Sequence, residues 1–216
     1  MTSAPRPIEP AGPEGAETTF DFAGKYESQS PIARFLVDRF YVGVAELLRG
    51  IQPRRILEVG CGEGFSTLRL RELLPVGAHF EACDVERRLV EAARRRNPTV
   101  SIDERSIYAL GLPEGAFDLV VCMEVLEHLE RPAEALAALA ATTSAHLLLT
   151  VPREPLWRGL NLARLKYVGA LGNTPGHLQH WSQRGFLDFV RGYGQVLEVR
   201  TPVPWTQVLL RIGAPR

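Results

Sequence analysis

Ile56-Leu57-Glu58-Val59-Gly60-Cys61-Gly62-Glu63-Gly64-Phe65-Ser66 is a short apolar run carrying one acid, which breaks into glycines at alternate positions and resumes as a helical pattern from Thr67. Such a stretch predicts a buried strand, then a turn open enough to admit a ligand to its backbone N–H groups. A helix N-terminus aimed at that ligand follows. A second strand-like run, Phe80-Glu81-Ala82-Cys83, ends at Asp84, 20 residues beyond Gly64. An acid at that distance suits a ribose diol, so the pair of signals predicts a nucleoside whose tail lies over the glycines.

Two nucleosides compete for this arrangement. The dinucleotide fingerprint G-x-G-x-x-G needs a third glycine at position 65, where this chain has Phe65. The spacing is G-x-G-x-G instead, with Glu58 two residues ahead of it. A carboxylate there repels a pyrophosphate but suits an ammonium group. S-adenosylmethionine supplies an ammonium, and a carboxylate for the N–H groups of the turn. On Glu58 to Gly64 together with Asp84, the chain resembles the class I S-adenosylmethionine-dependent methyltransferases. A glycine turn that only packs a helix on a strand explains the glycines but neither acid.

Composition narrows the class. The 216 residues suffice for one well-buried domain and fall short of two ordinary ones. Lys+Arg and Asp+Glu both number 25, so no net field favours polyanions, and nucleic acid is not an expected partner. No basic start with an apolar core and no 18-residue apolar run occurs, which leads to the expectation of a cytoplasmic protein. Three cysteines, Cys61, Cys83 and Cys122, with no C-x-x-C, argue for a reducing compartment. Residues 1–19, rich in proline and glycine, are expected to be a disordered tail. Residues 20–216 are expected to form a single domain.

Strand and helix signals then alternate. Strands are predicted at Arg55–Val59, about His79–Cys83, near Val100–Asp103, at Phe117–Cys122, Ala145–Val151, Val196–Arg200 and Gln207–Ile212. Helical patterns lie between most of them. This alternation demands a doubly wound α/β fold, a mostly parallel sheet with helices on both faces. Thr201–Thr206, with two prolines, is too short for a crossover, so the last two strands should pair antiparallel. The family resemblance implies the same ending, seven strands with the last reversed.

Four segments should converge at the carboxyl ends of the strands. The first is the turn with Glu58, Gly60, Cys61, Gly62 and Gly64, and the second is Asp84, which can also cap the helix after it. The third is Ser106-Ile107, where the resemblance implies an adenine contact; the family often has an Asp where Ser106 stands, and a plain loop serine remains the alternative. The fourth is Cys122-Met123-Glu124-Val125-Leu126-Glu127-His128-Leu129, which looks like the family's "V-L-E-H-L" box and would put Met123 and Glu124 beside the donor's sulfur. Leu126 and Leu129 are expected to point inward, leaving Glu127 and His128 as surface or capping groups. The Asn-Pro-Pro-Tyr variant, tied in the family to nucleobase and glutamine amino groups, is absent.

Pro152 to Trp181 is a 30-residue connection, long enough to suggest a lid or substrate wall. It mixes apolar residues with Arg153, Arg158, Arg164 and Lys166, then runs through His177 and His180. Either histidine has the pKa range of a general base, as Glu124 is also placed to be, and each can equally be a packing residue. The two histidines lack further ligands nearby in the sequence, so no metal is expected.

The expected function is methyl transfer from S-adenosylmethionine, by in-line displacement, to a small or lipid-linked acceptor, foremost through a hydroxyl. The basic residues of 152–171 would pair an acid, a phosphate or an anionic membrane surface; a solvated helix face is the other reading. A donor-binding module without catalysis and a nicotinamide oxidoreductase stay open as alternatives. Oligomeric state is not specified by these signals.

Overall fold

Residues 30–213 are described by the computed structural model, so the expected tail at 1–19 lies outside them. Seven strands form one sheet: β1 (Arg55–Val59), β2 (His79–Asp84), β3 (Ser101–Glu104), β4 (Phe117–Met123), β5 (Thr143–Pro152), β6 (Gln195–Arg200) and β7 (Trp205–Arg211). Their order is β3-β2-β1-β4-β5-β7-β6. The first five run parallel to one another. Strand β7 lies antiparallel to both its neighbours, as the short proline-bearing link to β6 requires.

Successive residues of the central strands go to opposite faces, and each face has its own apolar cluster. Ile56, Leu119 and Leu148 join residues of α1 (Pro31–Leu48), α2 (Phe65–Leu73) and α3 (Arg87–Arg96) on one side. Leu57, Val120, Leu147 and Leu149 join α4 (Pro132–Thr142) and α6 (Gln183–Val190) on the other. Every residue in these two strand sets is at most 1% exposed. That explains why β4 and β5 read as near-continuous apolar runs, since a strand covered on both faces has no polar side to present. Each such side chain contributes roughly 1.5–3 kcal/mol of burial.

Local chemistry sets the helix ends. Ser182 accepts a hydrogen bond from the Gly185 N–H at the start of α6. Proline opens α1 and α4, where a missing N–H costs nothing. Between β5 and α6 the chain makes α5 (Leu156–Ala163) and a 3-10 turn at Val168–Ala170.

Strand order reverses at β1, which has β2 on one side and β4 on the other. A crevice opens above the carboxyl ends of the strands at such a point. The glycine turn, the end of β2 and the end of β4 all reach it.

Candidate functional site

A cavity of about 370 Å³ occupies that crevice. Gly60, Cys61, Gly62, Asp84, Ile107, Met123 and Glu124 line it, with Val125 and His128 of the same segment as Glu124 and with Phe40 of α1 and Arg105, which the sequence reading did not single out. Gly62 has φ of 53° and nothing within 4 Å of where a side chain would begin, so its backbone faces open space. Gly64 is the opposite case. With φ of 81°, a Cβ there would stand 2.4 Å from Asn97 Nδ2 and 3.0 Å from Ala93 Cα. The first of these two glycines leaves room for a ligand, and the second lets α3 approach the turn.

Asp84 stitches the turn to β2. Its Oδ2 accepts the Gly62 N–H at 2.8 Å, and its Oδ1 accepts the Glu86 N–H at 3.0 Å. The helix-side role and the ligand-facing position therefore coexist, because an ionised carboxylate has about four acceptor sites. Burial raises the Asp84 pKa, and the backbone donors of Glu86, Gly62 and Val85 pull against it.

Glu58 is not among the lining residues. Its side chain is 2% exposed and its Oε2 accepts the Thr67 hydroxyl at 2.6 Å, behind the turn. Burial pushes its pKa up to about 7, with hydrogen bonds from Ser66 and Thr67 opposing the shift. Clamps from α3 complete the turn. Asn97 Nδ2 donates to the Gly64 carbonyl at 3.0 Å, Arg96 donates to the Glu63 carbonyl, and the Arg96 guanidinium lies 3.6 Å over the Phe65 ring. Asn97 closes α3 and was not among the residues expected at the site. A polar residue there, beside a proline and facing a glycine turn, was the available signal.

Ser106 and Ile107 separate. Ile107 is 7% exposed and lines the cavity, whereas the Ser106 hydroxyl accepts from the Tyr108 N–H and lies outside the lining residues. Beside them Arg105 contacts the cavity while its guanidinium donates to the Leu110 carbonyl and to Asp103.

The end of β4 carries Glu124 with φ of 58°, an uncommon conformation for a residue with a side chain. Its carboxylate accepts from Thr150 Oγ1 at 2.9 Å and from Trp205 Nε1 at 2.6 Å. The reversed strand β7 thus supplies the indole that holds a cavity-wall carboxylate. Burial raises the pKa of the three cysteines, that of Cys83 to about 12, which keeps them as inert thiols.

Glu127 departs from expectation. It was expected as a surface or capping group and is 2% exposed. Leu126–His128 form a tight 3-10 turn, and a distant segment covers it. Leu178 and Gln179 donate their N–H groups to the Glu127 carbonyl at 2.8 and 2.9 Å, and Gln179 Nε2 donates to the Leu129 carbonyl at 2.9 Å. His128 Nδ1 bonds the Gly176 carbonyl at 3.0 Å. His177, 8% exposed, lands with its ring 4.9 Å from that of His128 and stacked on Trp157.

The three candidate bases thus have different places. Glu124 is on the cavity wall, His177 packs against the wall residue His128, and His180 is exposed with Nδ1 3.8 Å from Glu154.

Residues 56–145 match a family model described as "Methyltransferase domain". A ubiquinone biosynthesis O-methyltransferase of Xanthomonas campestris is 34% identical over 125 residues, covering 54% of this chain and 51% of the relative. Among solved structures, a "SAM dependent methyltransferase" of Aquifex aeolicus superposes with a TM-score of 0.67 at 17% identity, covering 89% of this chain and 99% of the other. The N-methyltransferase NodS of Bradyrhizobium japonicum, solved with S-adenosylhomocysteine, gives 0.62 at 18% identity over 87% and 90%. Residues 56–145 are thus similar to a methyltransferase domain, on a fold shared with S-adenosylmethionine-dependent methyltransferases of known structure. The chain spans about half the length of the curated relatives it matches. Among the described residues, no helix is long and apolar enough to cross a membrane.

Proposed function

We propose that the protein transfers the sulfonium methyl of S-adenosylmethionine to an oxygen of a small or lipid-linked acceptor. The observation that carries this reading is the single cavity bounded by the open Gly62 backbone and Asp84 on one side and by Met123 and Glu124 on the other. A nucleoside held over the glycine turn, with its ribose on Asp84, has its sulfur directed toward the end of β4. Adenine then packs on Ile107. The acceptor oxygen attacks the methyl carbon in line, the C–S electron pair goes to sulfur, the hydroxyl proton passes to solvent, and S-adenosylhomocysteine leaves with its sulfur uncharged. Holding the two reactants at near-attack distance supplies several kcal/mol, up to about 7–11 in well-oriented cases. Glu124, held by Thr150 and Trp205, is positioned to order the acceptor hydroxyl.

Oxygen is preferred as the accepting atom because relatives of 30–36% identity are named ubiquinone biosynthesis O-methyltransferases. The segment 152–181 is proposed as the acceptor wall and lid. Within it Leu165, Val168 and Leu171 are 83%, 54% and 69% exposed, interspersed with exposed Arg164 and Lys166. That mixture suits an anionic membrane surface from which a lipid-linked acceptor is drawn.

Incubation with methyl-labelled donor and a panel of phenolic and isoprenoid-linked hydroxyl compounds tests the reading. Label appearing in an acceptor with equimolar S-adenosylhomocysteine is expected. Tight donor binding with no turnover on any hydroxyl, amine or thiol acceptor would instead make the protein a donor-binding module. Liposome flotation with and without acidic lipid tests the membrane contact, and equal flotation of a Leu165→Glu/Leu171→Glu variant would remove it.

A further inference from the structure

Glu127, His128 and His177 each present one ligand-type atom, and these atoms lie within 4.8 Å of one another. We infer that they form a binding site for a divalent transition cation of the zinc type, opening onto the donor cavity. Ligands around one such ion at about 2.0–2.2 Å stand roughly 3–4.4 Å apart, so the observed spacing needs only small side-chain movements. Two imidazoles and one carboxylate are a donor set for zinc, manganese or ferrous ions, whereas magnesium and calcium prefer all-oxygen shells.

A second observation bears on the site independently of the spacing. His128 Nδ1 donates to the Gly176 carbonyl at 3.0 Å, so Nε2 is the ring nitrogen turned toward the cluster. That Nε2 lies 3.9 Å from Glu127 Oε1, inside the cluster. Holding the non-ligating nitrogen on a backbone carbonyl is how metal-binding histidines are oriented. The backbone is held in the same way. The Glu127 carbonyl takes two N–H groups from Leu178 and Gln179, which fixes His177 opposite a turn 49 residues earlier. Stacking on Trp157, which in turn donates to Thr174, limits the His177 ring.

His128 belongs both to this cluster and to the cavity wall, beside Glu124 and Leu129. Three protein ligands leave the ion an exchangeable position, as in catalytic zinc centres. An acceptor oxygen bound there loses its proton to water more readily, because the cation stabilises the oxyanion. The oxyanion then takes the methyl as described above. This catalytic use rests on the oxygen-acceptor reading; the binding site itself does not. It also departs from the expectation that His177 lacks further ligands, which considered His180 as its neighbour and missed Glu127 and His128.

The test uses the full chain, stripped with chelator and dialysed, and titrated calorimetrically with ZnCl2 and with S-adenosylhomocysteine. One zinc equivalent is expected, with affinity falling at least about thirtyfold in both Glu127→Gln and His177→Gln while S-adenosylhomocysteine affinity stays within threefold. Absence of stoichiometric zinc binding in the parent, or parental affinity in both variants, would overturn the site. X-ray absorption on the zinc-loaded parent needs no variant: two imidazole ligands are expected, and an all-oxygen shell overturns the proposal. Loss of S-adenosylhomocysteine binding with zinc binding intact would strike the methyl-donor reading alone.

Discussion

The N–H of Gly62 donates to Asp84 Oδ2 at 2.8 Å, so the acid ending β2 closes the glycine turn of β1 as well as facing the cavity. Replacing Asp84 therefore acts on fold and ligand together. Asp84→Asn, which keeps one acceptor oxygen, is expected to cost about 1 kcal/mol of stability and to weaken S-adenosylhomocysteine at least tenfold. Urea denaturation and calorimetry on the same variant separate the two effects. Unchanged donor affinity would remove Asp84 from the ribose contact.

Glu58 gives the turn a pH dependence of definite sign. Its folded pKa, about 7, lies above the unfolded value of 4.5. Below about pH 4.5 both states hold the proton. Between 4.5 and 7 the unfolded chain ionises first, so stability falls as pH rises, and it levels off above 7. Glu58→Gln keeps an acceptor for Thr67 and is expected to flatten this slope, gaining on the order of 1–3 kcal/mol at pH 8. Melting temperatures between pH 5 and 8 check it, and an unaltered slope would assign the titration elsewhere.

Gly64→Ala forces a Cβ against Asn97 and the α3 backbone in a left-handed conformation. A loss of about 2–4 kcal/mol is expected. Adding Asn97→Ala relieves the closer clash but leaves the backbone strain and the 3.0 Å contact with Ala93. The double variant is therefore expected to be less stable than Asn97→Ala by only about 1–2 kcal/mol. Full additivity in the cycle would show that the two residues do not meet.

His180→Ala should leave turnover within about twofold, because the ring is turned to Glu154 at the surface. Glu124→Gln, on the cavity wall, should lower kcat at least tenfold with donor affinity little changed, a range typical of acid–base and positioning groups. Steady-state kinetics on both variants rank the candidates, and the reverse order would restore His180.

The sheet was legible because its signals are local. The apolar run Ile56–Val59, the glycines after it and the prolines between β6 and β7 each dictate a backbone path within a few residues. Predicted strand ends accordingly fall within about two residues of those observed. Glu127 was not legible. A carboxylate in a polar-looking turn reads as solvated, and what buries it is a segment about 50 residues later whose bonds go to backbone carbonyls that any residue carries. Phe40 and Arg105 were missed for a related reason, since each reaches the cavity from outside the motifs. Asp84 and Gly62 were found because a ligand's demands, rather than a neighbour's, select them.

Residues 154 and 181 meet, the Glu154 N–H donating to the Trp181 carbonyl at 2.8 Å, so the chain between them leaves and rejoins the sheet at one point. An insert with a closed stem can be exchanged or lengthened while the strands beneath stay in register. With 152–181 proposed as the acceptor wall, acceptor preference in such a scaffold would diversify by swapping this cassette.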